Sequence, residues 1–295
     1  MAFSDALGTE REVVLAGGRI RYRERGEGPP VVFVHGLLAN ADLWRDVVPG
    51  LAATGLRCVA PDWPFGAHTV PVPDADLSPP GAAALIGEFL ERTDLREVTL
   101  VANDTGGAIV QILMASRPER VARVVLTPSD SFERFFPPLF GYLPHLARVP
   151  GTVELLLRAI AVPALARLPF AFGGLARTRL PDDLIAGVTV PGRRDPAVRD
   201  DLRRFLRGVD RRHTIAAARA LSGFDRPVLL VWAVEDRIFP ISLAHRLAGL
   251  LPRARIVAVH RSRTFVPIDR PDRLIEEIRE FVRAERVDVT EADPG

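Results

Sequence analysis

Lysine is absent: all 39 basic residues of the 295-residue chain are arginine. They face 37 acids, which leaves a net charge of +2, and they are interspersed with those acids. A nucleic-acid surface would need basic residues gathered in a stripe with exposed aromatics, so nucleic acid is excluded as an expected partner. Cysteine is nearly absent. The one residue, Cys58, sits in the apolar run Leu56 to Ala60, which excludes an intrachain disulfide and suits packing in a reducing compartment. The amino end lacks the basic, apolar, small-residue order of a signal peptide, and no apolar run reaches the roughly 20 residues of a membrane span. A cytoplasmic protein without a membrane partner is expected, monomeric or homodimeric, with a small-molecule substrate, no metal and no cofactor.

What is present is a well-buried composition, 47% hydrophobic, on a chain long enough for one large α/β domain with an insertion. Its organising stretch is Leu100 to Gln111. The apolar run Val98 to Val101 meets Asn103-Asp104-Thr105-Gly106-Gly107 and passes straight into a helical pattern of Ile109, Val110, Leu113 and Met114. This reads as a strand-turn-helix elbow that presents Asp104. Ala102 and Gly106 supply the small residues such a turn needs where strand and helix backbones nearly touch. Asp104 could also serve only as an N-cap.

Upstream, Glu12 to Leu15 and Ile20 to Arg23 alternate around Gly17-Gly18, as an edge hairpin does. Val31 to Val34 reads as a strand buried on both faces and leads into His35-Gly36-Leu37-Leu38. Asp42 is expected to cap a helix through Trp44, Val47, Val48 and Leu51; Arg57 to Ala60 forms a strand ending in Pro61-Asp62-Trp63; and Ser78-Pro79-Pro80 starts another helix. Val121 to Leu126 is a further strand, left through Thr127-Pro128-Ser129-Asp130. Residues 131–222 lose the strand pattern, gain prolines and carry Phe132, Phe135, Phe136, Phe140, Leu155 to Leu157, Phe170 and Phe172. They read as an inserted helical lid over an apolar pocket, with helices from Asp195 and Asp210. Pro227 to Trp232 resumes the core, with Asp236 beyond it, and Arg255 to Val259 precedes Ser262 to Pro267. The division is therefore core at 1–130 and 223–286, cap at 131–222, and a disordered tail at 287–295.

Five landmarks in order, His35-Gly36, Pro61-Asp62, the Asp104 elbow, Asp236 and Phe265-Val266-Pro267, make the chain resemble the α/β-hydrolase superfamily. The aspartate at the elbow resembles the branch of haloalkane dehalogenases and epoxide hydrolases. The resemblance implies a mostly parallel eight-stranded sheet flanked by helices with an inserted lid. It implies that Asp104 attacks a saturated carbon to give an alkyl-enzyme ester, with the N–H groups of Leu37 and Thr105 as the oxyanion or leaving-group hole. It makes Asp236 the supporting acid, or Asp130 as in some dehalogenases. It assigns the pocket to His35, chiefly a brace of its loop, with Trp63, Phe135, Phe136, Tyr142, His213, Thr264 and Phe265.

Three positions depart from that pattern. Thr264 stands where the superfamily carries its histidine, and a threonine cannot activate water near neutral pH. His260, four residues earlier, is the nearest alternative base; the lid histidines His145 and His213 are others. Thr105 stands where haloalkane dehalogenases resemble one another in a tryptophan, and Tyr142 is alone in the lid where epoxide hydrolases use two tyrosines. The expected activity is thus that of a hydrolase-like enzyme on a small, largely apolar substrate of alkyl halide, epoxide or ester type, with Asp104 as nucleophile or general base. The alternatives are a non-hydrolytic lyase or cyclase, and a ligand-binding protein with a dead site.

Overall fold

The computed structural model describes residues 4–291, with side chains through residue 284. Eight strands form one sheet: β1 (Thr9–Leu15), β2 (Gly18–Arg25), β3 (Pro30–Val34), β4 (Arg57–Pro61), β5 (Val98–Asp104), β6 (Val121–Ser129), β7 (Val228–Ala233) and β8 (Ala254–Val259). Their spatial order is β1-β2-β4-β3-β5-β6-β7-β8. The β1–β2 hairpin pairs antiparallel and joins β4 antiparallel; all pairs from β4 to β8 are parallel. β5 and β7 are buried at every position, which explains why their sequences run apolar without alternation. Cys58 is buried and free in β4.

The helices of the core are α1 (Val48–Ala52), α2 (Pro79–Arg92) and α3 (Thr105–Ser116). Ser78 caps α2 by accepting the Gly81 N–H at 3.2 Å, with Pro79 in the first turn. The expected cap at Asp42 is corrected. Asn40 accepts the Asp42 N–H at 3.1 Å and starts a short 3₁₀ turn, Ala41–Trp44, while the Asp42 carboxyl accepts the Ser4 N–H at 2.9 Å.

Between β6 and β7 the structure is helical: α4 (Leu143–Leu146), α5 (Thr152–Ile160), α6 (Pro163–Ala166), α7 (Phe172–Leu175), α8 (Asp182–Arg194), α9 (Pro196–Gly208) and α10 (Arg211–Ala220). Asp195 and Asp210 cap α9 and α10. α8 was hidden from sequence reading by Pro191, which lies in its last turn, where a lost N–H breaks only one bond. This layer is clamped to the core by a buried network. Asp201 of α9 accepts the Val72 N–H at 2.8 Å and meets the His68 ring at 2.9 Å, and Arg204 donates to Val72 O and Ala75 O, both at 2.7 Å.

After β7 come α11 (Ser242–Ala248), α12 (Val266–Asp269) and α13 (Pro271–Glu291). α13 continues through Glu291, so the disorder expected from residue 287 is corrected for 287–291; residues 292–295 lie outside the described residues. Among the described residues, no helix is long and apolar enough to cross a membrane.

The chain runs from β3 outward to β4 and then returns to β5 on the other side of β3. That reversal opens a crevice at the carboxyl ends of β3 and β5, where an open parallel sheet places its ligands. His35-Gly36 and Asp104 stand at those two ends.

Candidate active site

Asp104 ends β5 and begins α3 with φ 55° and ψ −133°, a conformation that costs energy for a residue with a Cβ. Its side chain makes no capping bond to α3, so the N-cap alternative is set aside. The turn is possible because its neighbours are small. A Cβ on Gly106 would lie 2.5 Å from His35 O and 2.6 Å from Val34 O, and one on Gly36 would overlap the Asp104 carboxylate. Both obstacles at Gly106 are main-chain atoms, which cannot rotate away. Gly106→Ala is therefore expected to destabilise the fold by about 1–3 kcal/mol; a urea midpoint equal to that of the parent chain would contradict the tight elbow.

Two other carboxyls surround the elbow. Asp236, after β7, is held by the N–H groups of Ile238 and Phe239 at 2.8 and 3.0 Å and by the Thr264 hydroxyl, which donates to Oδ2 at 2.8 Å. Asp130, after β6, accepts the Thr105 hydroxyl at 3.2 Å on Oδ2, while its Oδ1 has no partner. Asn103 fastens the loops together: its amide donates to Thr264 O and Thr127 Oγ1, both at 2.7 Å. Gln111 of α3 donates to Asp130 O at 2.9 Å. Neither amide was given a role from sequence, because hydrogen-bonding partners 19 to 161 residues away leave no local signal.

Burial dominates the electrostatics. It pushes the Asp104 carboxyl up to about 7, opposed by the Thr105 N–H and assisted by the Asp236 charge. Burial, then the Asp104 charge, holds Asp130 well above the usual carboxylate range, against the Thr105 hydroxyl. Asp236 is also raised by burial, opposed by its three donors. Among the described residues, no cluster of three His, Cys, Asp or Glu side chains has the arrangement to hold a metal ion.

Asp104 and Thr105 form the polar floor of a cavity of about 80 Å³ whose walls include Leu37, Leu38, Phe136, Phe140, Tyr142, Leu156, Ile160, Phe170 and Phe172. That is about half the roughly 150 Å³ at which an apolar cavity takes benzene, so this state fits a molecule of few heavy atoms. Asp104 is the one ionisable acid or base at neutral pH on its lining, Tyr142 being a phenol held above its usual range by burial.

Of the sequence-predicted pocket, Leu37, Thr105, Phe136 and Tyr142 line this cavity with Asp104. The rest is corrected. His35 is buried behind the turn: Nε2 accepts the Trp63 N–H at 2.9 Å, Nδ1 donates to Gly36 O at 3.0 Å, and burial depresses its pKa to about 3. Trp63 is wholly buried, donating to Phe33 O at 2.9 Å. Phe135 packs on Phe136 from outside the lining, and Phe265 lines a smaller apolar space beside Leu38 and Phe172. Thr264 lies beneath the floor on Asp236. His213 is half-buried on α10 between Asp210 and Arg212, its pKa lowered by burial, and is not on the lining. His260 is exposed at the end of the edge strand β8, on the side of Glu235, so it does not face the cavity. Sequence flagged the cap aromatics collectively; it could not show which of them turn inward.

A sequence profile described as alpha/beta hydrolase fold matches residues 29–269, most of the chain. The chain belongs to the alpha/beta hydrolase fold family. This hydrolase-fold chain is 24% identical over 292 residues to the uncharacterized hydrolase YugF of Bacillus subtilis (strain 168), covering 95% of it and 100% of YugF. It is 28% identical over 277 residues to haloalkane dehalogenase 2 of Mycobacterium tuberculosis (strain ATCC 25618 / H37Rv), covering 89% and 91% of the two chains. Among solved structures it superposes on haloalkane dehalogenase DbeA from Bradyrhizobium elkani USDA94 with a TM-score of 0.79 at 20% identity, covering 95% and 99%. Identity that low speaks for the fold alone.

Proposed function

We propose that this hydrolase-fold chain is an enzyme acting on a small, largely apolar substrate, with Asp104 as the reacting group and proton transfer as its chemistry. The observation that carries this reading is the single carboxyl on the floor of an apolar cavity, presented by a strained turn and raised to about 7. A group that is half protonated at working pH serves well as a general base. Hydrolysis of an ester on Asp104 needs an imidazole beside it; we assign Thr264, which donates to Asp236, to the position of the family histidine, and His260 is exposed at the end of β8. Proton abstraction needs no such base, because no covalent intermediate has to be cleared.

A second reading is favoured by the same strained presentation: Asp104 attacks an alkyl halide or epoxide and remains alkylated, with Leu37 and Thr105 offering their N–H groups to the leaving atom. The test is intact-protein mass and product assay with short haloalkanes, epoxides, activated esters and small carbonyl compounds. Repeated turnover without an adduct is the expected result. A stable adduct mapping to Asp104 would establish the second reading instead, and turnover that persists in Asp104→Asn would remove Asp104 from both.

A further inference from the structure

We propose that Asp130 holds a proton for the reaction and passes it into the cavity through the Thr105 hydroxyl, so that Asp104 and Asp130 act as base and acid on either side of one threonine. This rests on Asp104 being the reacting group. Asp130 is fully buried, and its two oxygens are treated unequally: Oδ2 lies 3.2 Å from Thr105 Oγ1, whereas Oδ1 has no partner. A purely structural carboxylate would be expected to satisfy both oxygens, since an unpaired buried acceptor costs about 1–3 kcal/mol. Among the described residues no guanidinium pairs with it. The charge that faces it is Asp104; the neighbours contributed by α3, Thr105 and Gln111, are neutral, and Ser129 and Ser131 flank it in the chain.

After burial, the Asp104 charge raises Asp130 further and favours its neutral form. Two acids whose surroundings push them apart divide into base and acid. Thr105 is placed to connect them. It lines the cavity beside Asp104, and its hydroxyl, which donates to a carboxylate at Asp130 Oδ2, turns to accept there once Asp130 carries the proton and so frees its own for the cavity. The Asp104 carboxylate removes a proton from a carbon or oxygen of the substrate, and the released electron pair moves to a substrate oxygen. That oxygen takes the Thr105 proton as Thr105 takes the one from Asp130. Asp104 ends protonated and Asp130 ionised, and after release Asp104 gives its proton to Thr105 as Thr105 returns one to Asp130, which restores the resting state. The substrate class that suits this step is a small carbonyl compound with an acidic C–H beside the carbonyl. Asp130 is a positioning residue here, since it acts through Thr105.

The test combines a titration with an exchange assay. The full chain, labelled with ¹³C at the aspartate carboxyls, is titrated by NMR as parent, Asp104→Asn and Asp130→Asn. Expected in the parent is one buried carboxyl with a midpoint near 7 and a second still protonated above it. Asp104→Asn lowers the second midpoint by about one unit, and Asp130→Asn leaves the first in place, because a neutral acid is exchanged for a neutral amide. An Asp130 that titrates in the ordinary range in the parent, or ignores Asp104→Asn, overturns the relay. In D₂O, exchange of the C–H protons of butanone is expected in the parent, absent in Asp104→Asn, lowered about tenfold in Thr105→Val with KM unchanged, and restored in Thr105→Ser. Parent-level exchange in Thr105→Val overturns the route through threonine. Lack of exchange in the parent overturns the carbonyl substrate class, and exchange surviving in Asp104→Asn overturns the underlying reading while leaving the titration to judge the pair.

Discussion

An Asp104→Asn chain is expected to lose turnover by on the order of a thousandfold and, at pH 8, to unfold at a higher temperature than the parent. Both effects have one cause. An unfolded aspartate ionises near 3.8, whereas in the fold burial delays ionisation to about 7. Between those values the folded state binds the extra proton, so stability is lost as pH rises through that window and stays lost above it. At 1.36 kcal/mol per unit, the penalty carried by the ionised carboxyl at pH 8 is on the order of 2–4 kcal/mol. Asparagine keeps the shape without the charge. The gain should be seen at pH 8 and be nearly gone at pH 4, where the carboxyl is largely protonated in the fold. Shifted groups that do not sense Asp104, such as Asp62, raised to about 8, and His35, lowered to about 3, cancel in the comparison, whereas Asp130 is relieved of the Asp104 charge and adds to the gain at pH 8. Calorimetry at the two pH values is the measurement; an equal change at both, or a loss at pH 8, would show that Asp104 is not a strained buried charge.

Thr264→His is expected to raise hydrolysis well above that of the parent. The Thr264 hydroxyl already donates to Asp236 Oδ2 at 2.8 Å, and Asn103 holds the Thr264 carbonyl at 2.7 Å, so backbone and acid partner stand ready for an imidazole. A histidine there can give its Nδ1–H to Asp236 and turn Nε2 toward Asp104. Steady-state hydrolysis of a small p-nitrophenyl ester should rise by about 10²-fold or more, with a pH profile climbing as the imidazole loses its proton. Thr264 is wholly buried, so the larger ring costs about 1–3 kcal/mol of stability, readable by thermal unfolding. Adding Asp236→Asn should remove the gain. A folded Thr264→His chain with no more hydrolysis than the parent would argue that Thr264 does not occupy the position of a base.

Much of the frame was legible from the chain. β3, β5, β6 and β7 announce themselves as apolar runs because parallel strands are covered on both faces. Asp104 was legible because the elbow makes a steric demand on Ala102 and Gly106 that only small residues meet. Asp236 and Asp130 were legible as carboxyls at strand ends. The place of His260 was not. His260 is only four residues from Thr264, yet it is exposed at the end of the edge strand and is not on the cavity lining. His35 was legible as a brace of its loop, where the Trp63 N–H and the Gly36 carbonyl hold it, and only its place on the pocket lining failed. α8 was hidden by Pro191. Residues 287–291 were assigned to a polar tail where the structure continues α13.

The sequence by itself determined the parallel α/β frame and the small-residue elbow that presents Asp104, because strand burial and backbone strain act locally on residue type. Only the tertiary structure decided which cap aromatics wall the cavity, that Thr264 hydrogen-bonds Asp236, and that Asp104 and Asp130 meet across Thr105. Those outcomes depend on desolvation and on contacts between residues far apart in the chain, and they exist only once the sheet and cap have closed around them.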